Sequence, residues 1–263
     1  MAFNLQGKVV GVTGSARGIG KAVAKGFVEE GCKLILCDVN AEALAQTKEE
    51  FEKMGAQVYT GIVDVSKEEQ IKEFLDAAAK HFGGIDIWVN NAGICQANDM
   101  MDVSVEEWDR HFNINTRSIF LCSKHLLAHM KDKGGVIINA ASWTSILPSA
   151  NAGVYSATKA ANLSLTKTFA AEFAPYNIRV CAYTPGFIIT DMTMQSDSQY
   201  SDIKKTTRSV AMNRGGYPED LVGPIVFLAS EYASYITGVT LEVSGGKYCV
   251  QNPWYMWEKL GKE

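Results

Sequence analysis

A tyrosine and a lysine stand four positions apart in the segment Val-Tyr-Ser-Ala-Thr-Lys, residues 154–159. If this segment is helical, Tyr155 and Lys159 project from the same face, one turn apart. A tyrosine ionises near pH 10, so its phenolate needs about 4 kcal/mol of stabilisation before it can take a proton from an alcohol at neutral pH. A nearby ammonium group supplies part of that stabilisation. The pair is a candidate for general acid/base chemistry, although such pairs also occur by chance on solvated helix faces.

A glycine cluster, Thr-Gly-Ser-Ala-Arg-Gly-Ile-Gly at residues 13–20, lies between an apolar run and an amphipathic segment. Glycines at 14, 18 and 20 allow a tight turn, a close approach of the backbone to a pyrophosphate, and close packing of a helix on a strand. Asp38 ends the next apolar run, 18 residues after Gly20. An acid at about that distance accepts the ribose 2′-hydroxyl in dinucleotide-binding folds. A P-loop is excluded, because Ser15 and Ala22 stand where that motif needs glycine and serine or threonine.

The choice of dinucleotide depends on the same acid. A 2′-phosphate would be repelled by the Asp38 carboxylate, so we expect NAD rather than NADP. Arg17 keeps NADP open, because a guanidinium beside the ribose can hold a phosphate.

Short apolar runs alternate with amphipathic segments along the chain. The strand-like runs are residues 8–13, 33–38, 57–63, 85–90, 135–140 and 178–184, and the helical segments are 20–30, 41–54, 67–82, 106–131 and 155–174. Nearly continuous apolar runs are typical of strands buried on both faces. Strand and helix in repeated alternation predict an α/β fold, with a doubly wound parallel sheet and helices on both faces.

Composition excludes several classes of protein. With 47% hydrophobic and 21% charged residues, the chain is typical of globular proteins rather than of disordered ones. A net charge of -4 argues against nucleic acid as a partner. We expect no membrane span, no signal peptide and a cytoplasmic location, since no apolar run approaches about 18 residues. Six scattered cysteines, with no C-x-x-C pair, are expected to be buried hydrophobes rather than a metal site or a disulfide framework.

Taken together, the motifs and their order resemble the short-chain dehydrogenase/reductase family. Besides the glycine loop and the Tyr155 and Lys159 pair, the resemblance rests on Asp64-Val65, Asn90-Asn91-Ala92-Gly93, Asn115, Ser142, Pro185-Gly186, Thr190, and a late stretch at 238–246. It implies a three-layer Rossmann fold and NAD(P)-dependent oxidation or reduction at a CH-OH group. Ser244 stands where the family often has an aspartate, and bulky Trp143 follows Ser142.

The resemblance also implies roles for residues of this chain. Ser142 would hydrogen-bond the substrate oxygen, Tyr155 would be the general acid/base, Lys159 would lower its pKa and hold the nicotinamide ribose, and Asn115 would seat a water in the proton relay. The implied cofactor contacts are Gly14, Arg17, Gly18, Ile19, Gly20, Asp38, Asp64, Val65, Asn91, Gly93, Tyr155, Lys159, Pro185, Gly186 and Thr190. Trp143 joins Ser142 and Tyr155 as a substrate contact, whereas Asn90 and Ala92 are expected to be architectural. His111 is expected at a helix surface or an interface.

The expected substrate is a small secondary alcohol or ketone, such as a polyol, a sugar or a hydroxyketone. Hydroxysteroids and 3-oxoacyl groups are the alternatives, and a catalytically silent dinucleotide-binding regulator is a further one. The family also implies a homo-oligomer, a dimer or tetramer, in which the helical segments 106–131 and 155–174 pair across an axis.

The division of the chain follows from the extent of these motifs. Residues 1–246 are expected to form a single dinucleotide-binding catalytic domain, with an irregular substrate lid at about 187–216. Residues 247–263 form a tail that carries Trp254, Tyr255, Met256 and Trp257. Because such an aromatic cluster is costly to leave in water, we expect the tail to pack at a subunit interface or near the mouth of the pocket.

Overall fold

The computed structural model describes residues 3–195, 206–247 and 249–262. Seven parallel strands form one sheet, in the order β3-β2-β1-β4-β5-β6-β7. The strands are β1 Val9–Thr13, β2 Lys33–Asp38, β3 Val58–Ile62, β4 Ile87–Asn90, β5 Gly135–Ala140, β6 Ile178–Pro185 and β7 Thr240–Val243. The doubly wound parallel sheet predicted from the sequence is confirmed, and β7 falls within the late stretch at 238–246.

Helices cover both faces of the sheet. They are α1 Gly18–Glu29, α2 Ala41–Lys53, α3 Glu68–Phe82, α4 Val105–Phe112, α5 Ser118–Met130, α6 Gly153–Phe173, α7 Asp191–Gln195, α8 Val222–Ala229 and α9 Tyr255–Lys259. Side chains of β2 alternate between two apolar clusters: Leu34 and Leu36 join α1, α2 and α8, whereas Ile35 and Cys37 join α3 and α5. Each strand of this kind is buried on both faces, which explains why its sequence reads as a continuous apolar run.

The strand order reverses between β1 and β4. From β1 the chain winds outward to β2 and β3, and it then returns to pair β4 with the other side of β1. In open parallel sheets, ligands bind at the carboxyl edge beside such a reversal. The glycine loop follows β1 and Asn91 follows β4, so both lie at this position.

The segment predicted as one helix over 106–131 is interrupted. α4 and α5 are joined by a π-helical turn, Asn113–Arg117, which contains the buried Asn115. A π-helical turn inserts one extra residue into a helix and so shifts a side chain away from its regular helical position. Such turns often occur at functional sites.

The structure also bears on three further expectations: the lid, the packing of the tail, and the absence of a membrane span. Residues 196–205 of the expected lid lie outside the described residues, whereas 187–195 and 206–216 are described. In the tail, α9 contacts the second lid segment, where the Trp257 indole Nε1 donates a hydrogen bond to the Ala211 carbonyl at 2.8 Å. The described part of the chain holds no helix long and apolar enough to cross a membrane.

Candidate active site

The glycine loop connects β1 to α1 with the two elements in close contact. A Cβ on Gly20 would collide with the carbonyl oxygen of Gly14, so a larger residue cannot occupy this position without moving the loop. Gly18 has a φ of 56°, in the left-handed region, and a Cβ there would have the Thr190 methyl as its nearest neighbour, at 3.9 Å. The loop therefore packs closely on the amino end of α1, with Thr190 beside Gly18.

Asp38 is held against this loop by backbone donors. Its Oδ2 accepts a hydrogen bond from the Ala16 N–H at 3.0 Å, and its Oδ1 accepts one from the Asn40 N–H at 3.0 Å. Arg17 lies instead at the surface, where its guanidinium is 3.6 Å from the Asp191 carboxylate and both side chains are about two-thirds exposed. The carboxylate is therefore fixed beside the loop, whereas the guanidinium is solvated.

A hydrogen-bond cluster ties β1, β4 and β6 together. The Thr13 hydroxyl accepts from the N–H groups of Asn91 and Ala92, at 3.0 and 2.9 Å, and the Asn91 amide donates to the carbonyls of Thr13 and Gly14. Tyr183 donates its hydroxyl to Asn91 Oδ1 at 3.0 Å. Burial raises the pKa of Tyr183 far above its usual range, so it stays a donor. Sequence reasoning missed Thr13 and Tyr183 as supports of this site, because both lie within apolar strand runs.

Lys159 lies almost fully buried on α6, with 4% of its surface exposed. Its Nζ donates to the Ala140 carbonyl at 3.0 Å and lies 5.7 Å from the centre of the Tyr155 ring, as the spacing of four predicts. Burial lowers the pKa of Lys159 to about 8. An ammonium in this position favours a neighbouring phenolate.

Asn115 connects the π-helical turn to the loop after β4 and to α6. Its Oδ1 accepts from the Ile94 N–H at 2.8 Å, and its Nδ2 donates to the Ile94 carbonyl at 2.9 Å and the Thr158 hydroxyl at 3.1 Å. The Asn162 amide donates to the carbonyls of Asn115 and Ala140, at 2.9 and 3.2 Å. Lys159 and Asn162 therefore share Ala140 as an acceptor. Asn162, which sequence reasoning missed, is a polar residue seven positions after Tyr155 on the same helix, and that periodicity could have identified it.

Ser142 follows β5 and is buried. Its Oγ accepts hydrogen bonds from the Thr144 N–H at 3.2 Å and from the Thr144 hydroxyl at 3.0 Å. Because both bonds are accepted, the serine proton is available to a substrate oxygen. The next residue, Trp143, begins a short 3₁₀ turn, and its ring lies 4.5 Å from Lys247 Nζ.

The other expected cofactor residues also lie near the carboxyl ends of the strands. Val65 is buried, and the Asp64 carboxylate accepts from the N–H and hydroxyl of Ser66. A Cβ on Gly93 would lie 3.5 Å from Lys159 Nζ, which places this residue beside the catalytic candidates. The remaining positions are Ile19 in the first turn of α1, Pro185 at the end of β6, Gly186, whose N–H donates to the Val243 carbonyl, and Thr190, whose N–H donates to the Thr193 hydroxyl.

The expectation that His111 lies at a helix surface or an interface is wrong. Only 1% of it is exposed, and its ring accepts at Nε2 from the Gln96 N–H at 3.3 Å while Nδ1 lies 2.9 Å from the Glu107 carbonyl. The ring therefore joins α4 to the loop after β4, a role that a buried histidine fills when both nitrogens find partners.

Comparison with known proteins identifies a matching family model and several similar proteins. A family model described as enoyl-(acyl carrier protein) reductase matches residues 14–247. The chain is 36% identical to 2-dehydro-3-deoxy-D-gluconate 5-dehydrogenase of Escherichia coli K12, covering 93% of this chain and 97% of that one. It is 39% identical to 3beta-hydroxysteroid dehydrogenase 1 of Eggerthella lenta, with coverages of 94% and 95%. The 3-oxoacyl-[acyl-carrier-protein] reductase of Vibrio cholerae is 39% identical, with coverages of 94% and 100%.

Solved structures also superpose closely on this chain. A short-chain alcohol dehydrogenase of Sinorhizobium meliloti 1021, described as putative, superposes with a TM-score of 0.90 at 34% identity, covering 95% of this chain and 99% of that one. An NAD(P)-dependent gluconate 5-dehydrogenase of Beutenbergia cavernae, with bound NADP at low occupancy and also described as putative, gives a TM-score of 0.90 at 29% identity, with coverages of 95% and 100%. The fold and the site define an NAD(P)-dependent oxidoreductase. The chain belongs to the short-chain dehydrogenase/reductase family.

Proposed function

We propose that this protein transfers a hydride between NAD(H) and a small secondary alcohol or ketone. The observation that carries the proposal is the placement of Lys159 Nζ, buried 5.7 Å from the Tyr155 ring and hydrogen-bonded to Ala140. Ser142, with its hydroxyl proton available, lies just after the end of β5. These three side chains supply a proton acceptor, a charge that stabilises its phenolate, and a donor to the substrate oxygen.

Each residue of the site has its own proposed role in the reaction. When bound, the nicotinamide ring accepts or donates the hydride. Ser142 orients the carbinol oxygen, Tyr155 takes its proton during oxidation or returns it during reduction, and Lys159 favours the phenolate form. Asn162 holds the backbone of Asn115 and Ala140 in place, and it shares the Ala140 carbonyl with Lys159. A water seated at Asn115 completes the proposed proton relay.

The cofactor proposal rests on Asp38 and the glycine loop. The carboxylate is fixed by the N–H groups of Ala16 and Asn40 and can accept the 2′-hydroxyl of an adenosine ribose. Arg17, in contrast, is solvated and lies 3.6 Å from the Asp191 carboxylate. We therefore favour NAD. Because a similar solved structure holds NADP, both dinucleotides are included in the assay.

For the substrate we favour a polyol, a sugar or a hydroxyketone. The relatives support this choice and also its alternatives: one is named for a sugar acid, one for a hydroxysteroid and one for a 3-oxoacyl group. The Thr144 hydroxyl, 3.0 Å from Ser142 Oγ, favours a hydroxylated substrate over a steroid ring.

The test is cofactor reduction or oxidation at 340 nm with NAD and NADP in parallel. The panel holds small polyols, sugars, sugar acids, hydroxyketones, a hydroxysteroid and a 3-oxoacyl thioester. Turnover of the small hydroxylated compounds, with NAD preferred, is the expected result. Turnover confined to the steroid or the thioester, or no turnover at all, would reject the proposal. Tyr155→Phe should lower kcat by about 10² to 10⁴, since it removes the acid/base group, and a fully active variant would reject Tyr155 in that role.

We further expect a cytoplasmic homo-oligomer, a dimer or a tetramer. Large apolar side chains are exposed on α4 and α5: Val105 at 72%, Trp108 at 39% and Phe120 at 44%. Their burial against a second copy would remove this apolar surface from water. Light scattering from a monomeric particle would contradict the expectation.

A further inference from the structure

The backbone around the catalytic candidate Ser142 is fixed on both sides by hydrogen bonds. The Ser142 N–H donates to the Ser145 hydroxyl oxygen at 3.1 Å, and the Ser142 carbonyl accepts from the Ser145 N–H at 2.9 Å. Just before it, the Ala141 N–H donates to the Tyr183 carbonyl of β6 at 2.9 Å. What this serine does in the reaction therefore depends on where its hydroxyl proton points.

Thr144 occupies both acceptor positions of that hydroxyl. Ser142 Oγ accepts from the Thr144 N–H at 3.2 Å and from the Thr144 hydroxyl at 3.0 Å. A serine hydroxyl has one proton and two lone pairs. Because both lone pairs are engaged, Ser142 can make a further hydrogen bond only by donating its proton. Both residues are 4% exposed, so little water competes for these bonds.

The direction of this hydrogen bond matters for the chemistry of the site. A free serine hydroxyl beside an alcohol can either donate to the carbinol oxygen or accept the proton of that alcohol. A serine that accepts would compete with Tyr155 for the proton, although it is not a base. A serine that only donates stabilises the negative charge that develops on the carbinol oxygen as its proton leaves. The two bonds that Ser142 accepts also polarise its O–H group and strengthen that donation.

We propose that Thr144 is a positioning residue for the reaction. Its N–H and its hydroxyl make Ser142 an obligate donor to the substrate oxygen, and so reserve the acceptance of the substrate proton for Tyr155. The inference rests on the proposed function, since it concerns how the same site carries out that reaction. Any residue at position 144 except proline supplies the N–H, whereas the second bond needs a hydroxyl. Serine can therefore replace this threonine, and valine cannot.

The test is a double-mutant cycle of Thr144→Val, Ser142→Ala and the double variant, with the substrate of the 340 nm panel that turns over fastest. Thr144→Val keeps the shape of the side chain and the backbone N–H but removes the hydroxyl. In the wild-type background it should lower kcat by about 3- to 10-fold, as expected for loss of one hydrogen bond, with KM within about twofold. In the Ser142→Ala background it should change kcat by less than about twofold, because the hydroxyl through which it acts is absent.

Two further variants separate this role from a general effect on packing. Thr144→Ser retains a donating hydroxyl and should keep kcat within about twofold of the wild type. The matched control is Thr166→Val. Thr166 is also buried, but its hydroxyl donates to the Asn162 carbonyl, at 2.8 Å, and not to Ser142. Its effect on kcat, whatever the size, should be the same in both Ser142 backgrounds.

Urea unfolding of the four proteins of the cycle measures the hydrogen bond itself, without substrate. Each single variant leaves one buried group without its partner, whereas the double variant removes both groups. The two substitutions together should therefore cost less free energy of unfolding than the sum of their separate costs. If circular dichroism shows that Thr144→Val does not fold, Thr144→Ala takes its place in both cycles.

Four results would overturn the inference: wild-type kcat in Thr144→Val, equal losses of kcat in the two Ser142 backgrounds, a Thr144→Ser variant as impaired as Thr144→Val, or additive losses in the free energy of unfolding. Failure of the proposed function has a different signature. No turnover on any compound of the panel rejects that function and the inference with it, whereas turnover without coupling between Thr144 and Ser142 rejects the inference alone.

Discussion

Replacing Lys159 with methionine should remove the activity and yet stabilise the folded protein. The side chain is 4% exposed, and burial lowers its pKa from 10.5 to about 8. A shift of that size corresponds to about 3 kcal/mol by which the folded state disfavours the ammonium. The variant also loses the hydrogen bond to Ala140, a loss of about 1 kcal/mol, while Asn162 continues to donate to the same carbonyl. The net expectation at pH 7 is a gain of about 2 kcal/mol in the free energy of unfolding.

The gain should depend on pH with a defined sign. The folded-state pKa of this cation is lower than its unfolded value, so the cost of the buried ammonium is present in full below pH 8. Between about pH 8 and 10.5 the folded wild type has lost the proton that the unfolded chain still holds, and the cost disappears. The difference between Lys159→Met and the wild type should therefore shrink as the pH rises from 7 to 9.5.

Urea unfolding at pH 7 and pH 9.5, at one protein concentration and without cofactor, measures the difference. Lys25→Met, at an exposed position on α1, is the matched control and should stay within about 0.5 kcal/mol of the wild type. A Lys159 variant that is less stable than the wild type at pH 7, or whose gain is the same at both pH values, would refute the desolvation argument. The same variant should bind NADH more weakly, since the lysine is proposed to hold the ribose.

Three further predictions concern the cofactor loop and the tail. Asp38→Asn should lower kcat/KM with NAD and raise the ratio of NADP to NAD use by about tenfold, measured at 340 nm, because it removes the charge that repels a 2′-phosphate. Gly20→Ala should abolish NADH binding or destabilise the fold by more than about 1 kcal/mol, seen by calorimetry and thermal unfolding, since its Cβ collides with the Gly14 carbonyl. Trp257→Phe should cost about 1 kcal/mol of stability through the lost bond to Ala211, and an unchanged melting temperature would count against that bond.

The fold could be predicted from the sequence because the relevant signals are local. Each strand of the sheet core buries both faces, so β2 reads Lys-Leu-Ile-Leu-Cys-Asp without an alternation of polar residues. The positions of the glycine loop and of Asp38 follow directly from that strand assignment. The spacing of Tyr155 and Lys159 likewise places them on one helix face, as the structure shows.

The partners of the buried polar groups could not be predicted in this way. His111 lies in a strongly polar segment and was expected at a surface, but its ring closes on Gln96 and Glu107. Asn162 and Asn115 are 47 residues apart in the chain and meet through a carbonyl. Such contacts depend on which elements pack together, and neither periodicity nor composition carries that information. The π-helical turn that contains Asn115 could not be predicted either, because residues 106–131 have the sequence pattern of one continuous helix.

The sequence likewise does not show which charged side chains are buried. Lys159 and Lys247 are the two lysines buried among the described residues, and burial lowers the pKa of each to about 8. One lies beside the proposed acid/base Tyr155, and the other rests on Trp143, next to Ser142. A chain selected for stability alone would place an apolar side chain at position 159. The Lys159 ammonium is instead held where it favours the proposed phenolate of Tyr155, so the stability lost by burying this lysine and the activity it supports have the same physical cause.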